Sequence, residues 1–170
     1  MKHPKSELYA GLIPTFEAKS ANGFASELEV LALSVENNEE LSIVSKNYKG
    51  LLEAINQNEI YVESKSNIFE NKILLVKSLL KIAAEEYAIG IIDGNIVNKF
   101  EYQDALGFTI VAKDILENAN SLSSSEDEKR SKIIEIIENL SPLWPSLVPT
   151  EKINGDAVRI LTAVNKIDSI

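Results

Sequence analysis

The chain predicts an all-α fold, an up-and-down bundle of about five to six helices. Three observations carry this. Apolar residues recur at three- and four-residue steps through most of the chain. Helix-start and helix-stop signals separate those runs. No alternating strand pattern survives anywhere, and no internal repeat with a convincing period appears.

The elements follow in order. Residues 1–22 read as an irregular lead-in, punctuated by Pro4, Gly11 and Pro14 and closed by Ala21-Asn22-Gly23, with room for a short helix around Phe16. A helix over about 24–36 puts Leu28, Leu31 and Val35 on one face. After Asn37-Asn38, a second carries Leu41, Val44, Tyr48, Leu51 and Ile55, and Asn56-Gln57-Asn58 ends it. The strongest stripe is Phe69, Ile73, Val76, Leu80, Ala83, Tyr87 and Gly90, in alternating steps of four and three.

Asp93-Gly94-Asn95 is a turn. Asn98 then reads as an N-cap with Glu101 as its capping partner. The inner face beyond it is Tyr102, Ala105, Phe108, Ala112, Ile115 and Ala119, and Gly107 among them predicts close approach of a neighbouring helix. Ser121 to Ser125 is a polar linker, and Ser125 with Glu128 reads as a capping box for a helix presenting Ile133, Ile136, Ile137 and Leu140. Pro142, Pro145 and Pro149 forbid a regular element over 141–154. A last helix, about 155–168, presents Ala157, Ile160, Leu161, Val164 and Ile167. The whole chain, 1–170, reads as one domain, a size that buries a sufficient core unaided.

Composition narrows function. Acidic residues outnumber basic ones 26 to 17, for a formal charge of -9. Such a surface repels nucleic acid, which is bound through Lys and Arg that displace counterions. Solubility is its plainer purpose, and cationic partners are compatible with it. Cysteine is absent, which excludes disulfides, thiolate metal sites and thiol nucleophiles. His3 is the single histidine and Met1 the single methionine. Histidine-centred catalysis and multi-histidine or methionine-rich metal sites are therefore not expected. Phosphate-cradling glycine motifs and a nucleophile elbow are missing. The chain does not read as an enzyme; a hydrolase working on carboxylates alone ranks last. No apolar run reaches the roughly 18 residues of a membrane span. No signal peptide is visible at the start, so a periplasmic or other extracytoplasmic location requires that a leader has been removed.

Carboxylates are the remaining chemical groups. Glu85, Glu86, Asp93, Glu101 and Asp104 gather around the turn near residue 94. Oxygen ligands of this kind suit hard cations, and Glu86, Glu101 and Asp104 are the candidate metal ligands, for iron or another divalent or trivalent cation. The plainer reading is structural, since acids near a helix start are favoured by the helix dipole. Tyr87 and Tyr102 could flank the same turn as ligands, but both fall on apolar stripes, which favours core packing. Trp144, between two prolines, is the candidate interaction residue; a plug that holds the loop to the core is the more ordinary role.

The segment Tyr87-Ala-Ile-Gly90, Asp93-Gly94-Asn95-Ile-Val-Asn98 and Glu101-Tyr102-Gln103-Asp104-Ala105-Leu106-Gly107-Phe108 resembles a hairpin in the extracytoplasmic helical domains attached to bacterial high-affinity iron permeases. The Leu143-Trp144-Pro145 loop and terminal helix are similar too. The resemblance implies an exported, all-helical domain associated with uptake of iron or another metal, with a metal cation or a membrane transporter as partner. The permease's own Arg-Glu-Gly-x-Glu motif is missing, and so is the Gly-x-His-x-x-Glu motif of imelysin-like proteins. Two functions follow: a non-enzymatic domain that binds or senses a cation, or a helical protein-interaction module with no small ligand.

Overall fold

The computed structural model describes residues 9–59, 61, 68–120, 122–149 and 152–170. The chain forms two compact units, Met1–Ser64 and Lys65–Ile170.

In the first unit, a 3-10 turn at Tyr9–Gly11 leads into α1 (Ile13–Lys19), whose second residue is Pro14. Proline suits a first helical turn, where its missing N–H has no intrahelical acceptor. Phe16 is buried on α1, in agreement with the short helix expected there. Tyr9, Phe16 and Phe24 form a cluster with ring centroids 5.0 to 5.6 Å apart. Helices α2 (Ala25–Glu36) and α3 (Leu41–Glu59) then pair as a hairpin. Helix α3 ends at Glu59, where Asn56-Gln57-Asn58 was expected to stop it, but Asn58 has a further role. It is buried in the last turn, where Oδ1 accepts from Gly23 N at 2.8 Å and Nδ2 donates to Gly23 O at 3.0 Å. The apolar stripe of α3 is half used: Leu51 is buried, while Leu41 is 80% exposed and Tyr48 52%.

The second unit is a four-helix bundle of α4 (Phe69–Gly90), α5 (Lys99–Glu117), α6 (Ser124–Glu138) and α7 (Ala157–Asp168). Helix α4 packs mainly along α5 and then along α7, and α6 packs on both α5 and α7. Ion pairs tie the helices together: Lys77 of α4 meets Asp168 at the end of α7, and Lys113 of α5 meets Glu138 at the end of α6, at 2.8 Å. Every member of the predicted stripe on α4, from Phe69 to Gly90, is buried.

Strands β1 (Ile91–Ile92) and β2 (Asn95–Ile96) make a minimal antiparallel ladder between α4 and α5. It is too short to show alternation, which is why no strand was expected. Asp93 and Gly94 both have positive φ, 51° and 77°, as a type I′ hairpin turn requires.

Some registers differ from expectation. The capping box of α6 is Ser123 with Glu126, two residues upstream of the predicted Ser125 and Glu128. Both frames satisfy the pattern. The upstream one leaves Glu128 free to pair with Lys132 at 2.7 Å, one helical turn on. On α5, Thr109 and Leu116 are buried, whereas Phe108 and Ile115 are half-buried. The inner face is turned slightly because Glu101 also points inward. On α7, Ala163 is buried and Leu161 is exposed.

Gly107 is not the close-approach glycine. It lies on the outer face of α5 with nothing within 4 Å of a built Cβ. Gly90 has that role, since a Cβ there would sit 2.7 Å from Tyr102 N and 3.1 Å from Asn98 O. Two substitutions therefore have opposite signs. Gly90→Ala forces backbone apart and should destabilise the protein by about 1–3 kcal/mol. Gly107→Ala should stabilise by up to about 1 kcal/mol through helix propensity. Urea unfolding of the two variants checks both signs.

Candidate functional site

One end of the bundle collects the hairpin turn, the start of α5, the 3-10 turn Ser141–Leu143 with the irregular residues 144–149, and residues 152–156. Tyr87 reaches this end from α4 and Tyr102 from α5, and both are fully buried. Trp144 stands edge-on to Tyr87, with centroids 5.4 Å apart and planes at 84°, an arrangement favoured by the ring quadrupoles. Its indole N–H donates to Tyr102 O at 3.1 Å. Tyr87 OH donates to Leu143 O at 3.3 Å, and Tyr102 OH to Ser146 O at 2.8 Å. Gln103 Nε2 donates to Leu147 O at 3.1 Å, and Ile153 N to Gly94 O at 2.9 Å. The prolines do not forbid every regular element here, since Pro142 sits in the first turn of a 3-10 helix, Ser141–Leu143; the carbonyls of Leu143, Ser146 and Leu147 are satisfied by side chains of α4 and α5.

Trp144 is 9% exposed. Its ring is turned inward as the plug of this loop, so the apolar surface facing outward here is Leu147 and Val148. The two tyrosines are likewise core residues with donated hydroxyls. Burial, with a smaller contribution from Tyr102, pushes the Tyr87 phenol up to about 12, and burial raises that of Tyr102. Both phenols act here as hydrogen-bond donors.

The three candidate carboxylates have different surroundings. Glu101 is 3% exposed, with Oε1 accepting from the Asn98 side-chain amide at 3.4 Å. Asn98 caps α5 as expected, its Oδ1 accepting from Phe100 N, and its side-chain amide donates to Glu101. Glu86 is half-buried with Oε2 shielded from solvent, as is Oε2 of Glu101. Asp104 is exposed. Glu101 and Asp104 share α5 but lie on its inner and outer sides. Among the described residues, no three of His, Cys, Asp or Glu are grouped so as to hold a metal ion.

A surface that the stripe analysis did not single out lies along α4. Opposite its buried face, Leu74, Leu75, Ile82 and Ile89 are 57%, 50%, 37% and 54% exposed. Leu75, Ile82 and Ile89 recur every seven residues, so they line one side of the helix. Ile92 and Val97 continue the apolar surface at the hairpin, at 55% and 57%. A helix with aliphatic residues on both faces is characteristic of one buried on both sides. The heptad spacing was the signal for this second face.

A family model described as the iron permease-associated four-helix bundle domain matches residues 63–170. The chain belongs to this family. The match spans the four helices α4 to α7, and the family is transport-related and not one of enzymes. No curated protein and no solved structure matches the chain significantly. Among the described residues of this permease-associated bundle, no helix is long and apolar enough to cross a membrane.

Two measurements probe the loop end. Trp144→Ala empties a packed site and should destabilise by about 3–5 kcal/mol in urea unfolding. Unfolded tyrosine ionises near pH 10, but Tyr87 in the fold does so near 12. The burial of neutral Tyr87 therefore leaves stability intact below pH 10 and removes it as pH climbs from 10 toward 12. Tyr87→Phe should flatten this alkaline limb in a pH series of melting temperatures.

Proposed function

We propose that the protein is a non-catalytic, extracytoplasmic accessory domain of an iron-uptake system, and that it works by docking on the membrane permease. The family supplies the link to iron permeases. The observation that carries docking is the outward face of α4. A soluble four-helix bundle ordinarily turns its polar side chains outward. Here Leu75, Ile82 and Ile89 stand exposed in a row, with Leu74 beside them. Contiguous apolar surface of this kind typically marks an interaction site. The permease, and iron as its cargo, are the partner and process this reading implies.

Burial of Glu101 and of the Glu86 Oε2 atom favours a second reading. In it, Glu86, Glu101 and Asp104 bind a hard cation such as iron, and the bundle senses it. Oxygen ligands of this kind suit hard cations.

One pair of experiments separates the readings. Replacing Leu75, Ile82 and Ile89 together with serine should abolish co-purification with the organism's own detergent-solubilised iron permease, while the melting temperature stays close to wild type because the sites are exposed. Retained co-purification, or none for the wild type, would overturn docking through this face. In parallel, chelator-stripped protein is melted with Fe³⁺, Fe²⁺, Mn²⁺, Ca²⁺, Cu²⁺ and Zn²⁺. A selective rise that disappears in Glu101→Gln with Asp104→Asn would establish the cation reading, because a ligand of the folded form alone raises stability by mass action. No rise with any ion would remove it.

A further inference from the structure

Two Asn-Gly pairs occur in the described chain, Asn22-Gly23 and Asn154-Gly155, and the fold treats them differently. Asparagine followed by glycine is the sequence most prone to close a succinimide ring. The glycine nitrogen attacks the asparagine carboxamide carbon, and no side chain on glycine hinders the approach. Whether the attack occurs depends on how firmly that nitrogen and the adjoining backbone are held.

At Asn22-Gly23 they are held on both sides. Gly23 N donates to Asn58 Oδ1 at 2.8 Å, and Gly23 O accepts from Asn58 Nδ2 at 3.0 Å. The next amide, Phe24 N, donates to Tyr9 OH at 3.1 Å. The nucleophile is engaged and the peptide cannot rotate toward the Asn22 side chain.

At Asn154-Gly155 the nucleophile is not engaged. The Asn154 side chain is exposed, and Gly155 N–H meets no acceptor among the described residues. Packing also retains the glycine. Its φ is +155°, and a Cβ there would approach Leu143 Cδ2 to 2.5 Å. A bulkier residue that would slow the reaction does not fit without displacing the plugged loop.

We propose that Asn154 is a site of spontaneous deamidation in the folded protein and that Asn58 shields Asn22 from the same reaction. In the first step the bond from Gly155 N to Asn154 Cγ forms, the bond from Cγ to Nδ2 breaks, and ammonia leaves. The Gly155 amide proton passes through solvent to the departing nitrogen. Water then opens the imide at either carbonyl, giving aspartate or isoaspartate. No oxidant, reductant or cofactor takes part. Each product adds a negative charge, and isoaspartate adds a methylene to the main chain. Both changes fall between two anchors of the loop. Ile153 is buried, with its N–H on Gly94 O, and the Asp156 side chain caps α7 by accepting from Val158 N at 3.0 Å. The chain lengthened by isoaspartate cannot keep both in place, so that product loosens the start of α7.

The test uses the full chain. It is incubated in mildly alkaline buffer at physiological temperature, folded or in denaturant, and then digested. Mass spectrometry follows the one-dalton gain on the peptides holding Asn154 and Asn22. In the folded protein, Asn154 should convert several-fold faster than Asn22. In denaturant the two rates should converge, because the difference comes from the fold. In folded Asn58→Ala, the Asn22 rate should rise toward that of Asn154. Equal rates in the folded protein would overturn the proposal, as would a difference that persists undiminished in denaturant.

Discussion

Gly90 lets the end of α4 lie against the backbone of α5, with room for no Cβ between it and Tyr102 N. From this contact the rest of the bundle follows. The tight pairing fixes the short hairpin with its Asp93-Gly94 turn, and it brings Tyr87 and Tyr102 side by side in the core. Gly90 O also accepts from Val97 N and Asn98 N, so the same residue sets where α5 begins. With α5 on one side and α7 on another, the inner face of α4 is fully occupied. Its outer aliphatic row has no partner helix within the bundle's ring.

The segment 141–156 depends on that pairing. It links α6 to α7, and beyond the short 3-10 turn Ser141–Leu143 its prolines interrupt regular hydrogen bonding. Tyr87, Tyr102 and Gln103 donate to its carbonyls from α4 and α5, and its own Trp144 donates in return to Tyr102 O. Three aromatic residues in a chain poor in them are thus concentrated where an irregular loop needs rigid, amphipathic side chains. The loop's remaining apolar residues, Leu147 and Val148, face outward. Exposed apolar surface therefore occurs at the loop end as well as along α4.

Helix class, the α4 stripe, the Asp93-Gly94 turn and the Asn98 cap were all legible, because each depends on neighbours within a few residues. The plug at Trp144 was legible for the same reason: an aromatic residue between prolines has little choice but to pack. What failed depended on distant groups. Gly107 and Gly90 look alike in sequence, and only the course of the partner helix tells which one is crowded. Asn58 does stand at a helix end, but its bond to Gly23 was not legible, because only the fold brings the two together. Ser123-Glu126 and Ser125-Glu128 satisfy one pattern equally well, and side-chain pairing further along α6 decided between them. The carboxylates near the hairpin were legible as a cluster along the chain, but burial divides them, with Glu101 inside and Asp104 outside. The outer row on α4 was present as a seven-residue repeat and was overshadowed by the stronger inner stripe.

The account stands on the claim that this bundle meets its transporter through the outer face of α4. Methyl NMR tests it directly. Spectra of leucine- and isoleucine-labelled protein are recorded as the organism's iron permease, held in lipid nanodiscs, is added. The account predicts that Leu74, Leu75, Ile82 and Ile89 broaden or shift first, with the buried Ile133 and Ile160 unaffected. Unchanged α4 methyls alongside perturbed signals elsewhere would contradict it.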